Sequence, residues 1–105
     1  MRVLVSRSGD ADSVRLVEPG DFARFSVVVD GVSPEQAGGV LRAAGAGAPA
    51  GDGDVLVSED WLASRLAAAG VPGWEQSLDE MIAYARSRGW FSEQPRGVRA
   101  HVEAA

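Results

Sequence analysis

Apolar and polar positions follow one another along this chain regularly enough to mark most of its elements. Val3, Leu4 and Val5, within Arg2–Ser6, read as a short buried strand that stops at the polar run Ser8, Gly9, Asp10. From Asp12 to Glu18, Val14 and Leu16 fall on one side and Ser13, Arg15 and Val17 on the other, which suits a half-buried hairpin partner. Pro19, Gly20 and Asp21 signal a turn, because proline presets one turn dihedral and glycine accepts a positive one. Phe22–Asp30, rich in aromatic and β-branched residues, predicts a central strand.

The period then changes to helical. Ser33 stands as an N-cap, Pro34 at the first helical position and Gln36 where a capping box needs it, ahead of Ala37, Val40, Leu41 and Ala44 at helical spacing. Gly38 and Gly39 each lower helix propensity by about 1 kcal/mol, so this helix depends on packing. Gly45–Gly53 carries no periodic apolar residues and predicts a flexible surface loop. It is not a phosphate cradle, since no helix, Lys or Thr follows its glycines.

Asp54–Val57 predicts a strand, and Ser58 caps a second helix with Glu59 and Asp60 in its first turn, where the helix dipole favours acids. Trp61, Leu62, Leu66 and Ala69 form its apolar face and Gly70 ends it. Ser77 and Glu80 look like a second capping box, opening a third helix with Leu78, Met81, Ile82 and Ala85 as its stripe. Arg86, Arg88 and Gly89 mark its end. After a turn at Gln94–Gly97, strict alternation from Val98 to Glu103 predicts a last strand.

The expected fold is α+β, in the order β-β-β-α-β-α-α-β over a single domain, residues 1–105. The sheet is four- or five-stranded, mostly antiparallel or mixed, with three helices packed on one face. The other face is left to water, a ligand or a partner.

Composition narrows the chemistry. The chain has no Cys, Lys, Thr or Asn and all ten of its basic residues are Arg, a bias that fits a GC-rich bacterial genome. Without Lys there is no Schiff base; without Cys there is no thiolate nucleophile, thiolate metal site or disulfide. A net charge of -5 argues against nucleic acid, whose binding needs basic surface to displace phosphate counterions. The three-residue apolar stretch Val3–Val5 near the N-terminus is too short for a signal peptide or a membrane span, and a cytoplasmic location is expected. One His and scattered acids predict no metal site and no cofactor.

Two constellations carry candidate chemistry. Arg99, His101 and Glu103 project from one face of the last strand, about 7 Å apart. They are either its solvated side or a catalytic set with His101, the only histidine, as acid–base group, Glu103 or an acid from a neighbouring strand to orient or tune it, and Arg99 as anion or enolate stabiliser. Trp61, Trp74, Tyr84, Trp90 and Phe91 either fill the core or wall a pocket for a small apolar or aromatic ligand. The function expected first is a non-catalytic interaction or ligand-binding module, associating with itself or another protein through a sheet face or edge. The alternative is a cofactor-independent enzyme of isomerase, cyclase or lyase type using His101.

Overall fold

Alternation puts valines on one face of each inner strand, and that face builds the core. The computed structural model describes residues Met1–Ala104; Ala105, at the end of the expected domain, lies outside the described residues. Its elements are β1 (Arg2–Ser8), β2 (Ala11–Val17), β3 (Ser26–Asp30), α1 (Pro34–Ala43), β4 (Gly47–Gly51), β5 (Asp54–Ser58), α2 (Glu59–Ala69), α3 (Trp74–Ser87), β6 (Phe91–Glu93) and β7 (Arg96–Ala104). The strands form one mixed sheet in the order β2-β1-β3-β7-β5-β4, with β6 also on β7.

Register explains the core. Val3 and Val5 lie opposite Leu16 and Val14 of β2 and beside Val27 and Val29 of parallel β3. Val102 continues the row from β7, and Val98 stands opposite Val57 of antiparallel β5. Against these valines pack Ala37, Val40 and Leu41 of α1, Trp61, Leu62 and Leu66 of α2, and Leu78, Ile82 and Ala85 of α3. Among the described residues no polar or charged residue is buried, and no helix is long and apolar enough to cross a membrane.

The class is α+β with three helices, as expected, but the sheet has seven strands rather than four or five. Gly47–Gly51, read as loop, is edge strand β4. Its pairing with β5 (Gly47 with Val57, Ala48 with Leu56, Pro49 with Val55) makes a strand of residues that have little β propensity of their own. The overlooked signal was Asp52–Gly53, where both residues have positive φ, as tight hairpin turns demand. β6 is a three-residue strand whose brevity hid it between α3 and the last turn.

Several boundaries also move: β1 runs to Ser8 rather than Ser6, and β7 starts at Arg96, inside the turn expected at Gln94–Gly97. β3 begins at Ser26, not Phe22, so Phe22–Phe25 leaves the sheet. α3 begins at Trp74, behind Gly73 at φ +66°, so Ser77 and Glu80 sit inside the helix and do not box it. The caps of the other two helices are as read: the Ser33 N–H donates to Gln36 Oε1 at 3.2 Å, and the Trp61 N–H to Ser58 Oγ at 3.2 Å.

The helical glycines of α1 have different causes. A Cβ on buried Gly38 would stand 2.6 Å from Pro49 Cγ and 2.7 Å from its Cα, so the missing side chain is what lets α1 lie on β4. Gly39 faces open space. Gly38→Ala is therefore expected to destabilise the protein by about 1–3 kcal/mol through overpacking, and Gly39→Ala to stabilise it by about 0.5–1 kcal/mol through helix propensity. Urea denaturation of the two variants beside wild type measures both signs.

Candidate functional site

Strand β7 must serve three neighbours. β5 pairs one of its edges from Gly97 to His101. The other edge is shared: β6 pairs Arg96, Gly97 and Val98, and β3 pairs Val102, Glu103 and Ala104. One more bond, from the Arg99 N–H to the Trp90 carbonyl at 2.7 Å, extends the β6 side. No residue of β6 or β3 stands opposite Ala100 or His101 on that edge.

Beside this gap opens a cleft of about 860 Å³. Both β6 and β3 start at the gap, so the chain entering each one walls it: Trp90 on one side, Phe22–Phe25 on the other. Met81 and Tyr84 of α3, with Arg88 at its C-cap, close it. The Met1 amino group donates to the carbonyls of Asp21 and Arg24, at 2.6 and 2.7 Å, which ties the Phe22–Phe25 wall to the start of β1.

Arg99, His101 and Glu103 share the cleft with Asp54, the first residue of β5. The register places Asp54 directly opposite His101. Arg99 Nε donates to Asp54 Oδ2 at 2.7 Å, and His101 Nδ1 lies 3.0 Å from Oδ1. The Arg99 hydrogen bond, followed by that from His101, holds the Asp54 carboxyl below the usual aspartate range. An ionised carboxylate only accepts, so the neutral imidazole carries its proton on Nδ1 and keeps its lone pair on Nε2. This assigns the tautomer from the partner's chemistry.

The apolar side of the cleft is unusual in its exposure. Tyr84 and Trp90 are the two large hydrophobic residues exposed among the described residues, at 59% and 43%, and they meet edge to face with centroids 6.0 Å apart. The Arg88 guanidinium lies 5.2 Å over the Trp90 ring. Arg88 and Arg24, which also lines the cleft, form no ion pair among the described residues, unlike Arg2, Arg7, Arg86, Arg96 and Arg99.

No protein-family profile, curated protein or solved structure matches the chain. Chemistry alone must read the site. Among the described residues no group of three or more His, Cys, Asp or Glu side chains could hold a metal ion.

Of the residues singled out from sequence, the cleft gathers His101, Arg99, Glu103, Tyr84 and Trp90; Trp61, Trp74 and Phe91 lie outside it. Trp61 is buried in the core with its indole N–H unpartnered, and Arg65 lies 5.4 Å over its ring. Trp74 opens α3 half-buried against the core. Phe91 lies near two guanidinium groups, Arg86 at 4.6 Å and Arg96 at 5.3 Å, which Glu93 and Glu59 hold in place.

The reading from sequence missed Asp54, Phe22, Phe25, Met81, Arg24 and Arg88. Phe22 and Phe25 were absorbed into a strand, and Arg88 into the charge pattern of a helix end. Asp54 is an acid of a neighbouring strand, the kind expected beside His101, but nothing in the sequence singled it out, because only strand register sets it against His101.

Four carboxyls, Asp12, Asp54, Glu59 and Glu93, are held below their usual range chiefly by hydrogen bonds from arginines. Their folded pKa values lie below the unfolded ones, so their stabilisation is complete above the unfolded carboxylate range near pH ~4 and is lost as pH falls through the lower folded values. The midpoint of thermal unfolding should hold between pH 7 and pH ~5 and drop below pH ~4. A midpoint unchanged down to pH ~3 would mean these exposed pairs contribute nothing.

Proposed function

We propose that the protein binds a small organic anion with an aromatic or apolar body in the cleft beside β7. The observation that carries this reading is the joint exposure of Tyr84 and Trp90 next to two arginines without carboxylate partners. A folded domain gains by covering large apolar side chains, and a side left open in company with fixed polar groups is the usual make-up of a small-molecule site. The cleft volume of about 860 Å³ lies inside the range of roughly 300–1,000 Å³ typical of such sites.

Charge sets the class of ligand. On a chain of net charge -5, an anion is repelled by most of the surface and drawn to the few places where arginine is in excess. The planar fork of Arg88, or of Arg24, suits a carboxylate taken in bidentate fashion, while Tyr84, Trp90 and Phe25 stack on the body.

Phenylacetate, phenylpropionate and benzoate are expected to change tryptophan emission and to show saturation transfer in ligand-observed NMR. Phenylacetamide should bind about tenfold more weakly, the worth of one hydrogen bond between charged groups. The double substitution Arg24→Ala/Arg88→Ala should erase that preference for the acid. No response to any of the acids, by either method, would sink the reading.

A second reading is association of two copies through the sheet face away from the helices. There Leu4 and Val28 stand side by side in register, and Leu56 lies opposite Arg99; all three are only half-buried. Light scattering at high micromolar concentration should then give twice the mass of 11.0 kDa, and Val28→Lys should return the monomer. A monomeric mass at every concentration would rule this out.

A further inference from the structure

We propose that Asp54 and His101 make the cleft catalytic, with His101 Nε2 moving a proton on a bound arylalkyl 2-oxo acid and so interconverting its keto and enol forms. This rests on the reading of the cleft as a site for an aromatic anion and adds a reaction to it.

Geometry supplies the base. Asp54 is fixed twice, by Arg99 at 2.7 Å and by His101 at 3.0 Å, so the imidazole is oriented without help from a ligand. The carboxylate fixes the proton on Nδ1, which leaves Nε2 free to accept, and it stabilises the imidazolium formed when Nε2 does so. The imidazole is 75% exposed and lines the cleft, so a bound molecule can reach that nitrogen.

Composition supplies the substrate class. A base acts on a C–H bond only if the carbanion it creates has somewhere to put its charge. The chain has no Lys to build an imine sink and no Cys to add to a carbonyl, so the substrate must bring its own ketone next to the C–H. The arginines call for a carboxylate and the aromatic wall for an aryl group. An aryl group, a CH2, a ketone and a carboxylate in sequence satisfy all three.

The step balances within the substrate. Nε2 takes a proton from the carbon between the ring and the ketone. The C–H electron pair becomes the C=C bond, and the C=O π pair moves to oxygen. The imidazolium then returns a proton to that oxygen, giving the enol; the reverse path restores the ketone. No oxidant, reductant or second reactant enters. While the charge is on oxygen, the terminal guanidinium nitrogens of Arg99 are placed to stabilise it, since its bond to Asp54 uses Nε.

Phenylpyruvate in deuterated buffer tests this, with loss of its CH2 signal followed by proton NMR and binding followed by saturation transfer. Wild type should exchange that proton at least about 100-fold faster than His101→Gln, the usual contribution of a positioned base. His101→Gln should still bind, because an exposed side chain is being replaced. Asp54→Asn should lower kcat with KM little changed, and Asp54→Glu should restore part of it, as befits a positioning residue. Equal exchange by wild type and His101→Gln, with phenylpyruvate bound by both, overturns the reaction and leaves the binding site standing. Failure of phenylpyruvate to bind wild type overturns the reaction, and overturns the binding site as well only when phenylacetate, phenylpropionate and benzoate also fail to bind.

Discussion

Backbone hydrogen bonding along β7 is the constraint from which the rest of this structure follows. A buried strand must have its N–H and C=O groups paired, and β7 satisfies one edge with a single neighbour, β5. The other edge is divided between antiparallel β6 and parallel β3. Two strands that both begin on the same edge cannot meet end to end, because the chain that leads into each has to leave the plane of the sheet. The unpaired stretch at Ala100 and His101 is the result, and the aromatic residues just before each strand become its walls.

That origin accounts for how the cleft mixes its surfaces. Val98 and Ala100 belong to the core side of β7, while Arg99, His101 and Glu103 belong to the open side, yet all five line one cleft. A paired strand separates its two faces; a strand with a gap at its edge lets a bound molecule pass from one to the other. Apolar body and ionic end can therefore be recognised at once, with the helix end of α3 providing Tyr84 and Arg88 on the apolar side.

Most ion pairs in this chain are made by arginines. Where a guanidinium faces a carboxylate it locks it, as in the cluster of Arg86, Arg96, Glu59 and Glu93 around Phe91. Such exposed networks add little to stability, but they fix geometry, and the Arg99–Asp54–His101 set is the case in which fixed geometry has a chemical use. The arginines left out of these pairings at the cleft, Arg24 and Arg88, are the ones available to an outside anion.

By itself the sequence determined what depends on local pattern. Short apolar runs marked β1 and β5 and strict alternation marked the inner face of β7; Ser33 and Ser58 marked two helix starts; and the polar alternation of Arg99, His101 and Glu103 put them together on one face, because side-chain period in a strand is a property of the backbone. Weak segments such as β4 and β6 took their form from the strands they pair with, which local propensity does not contain. Only the tertiary structure decided the site. Asp54 and His101 are 47 residues apart and meet because antiparallel register sets them opposite one another, and that register is fixed by the packing of Val55 and Val57 against the core. The gap beside His101 is likewise a property of two strands sharing one edge of β7, which no single stretch of the chain encodes.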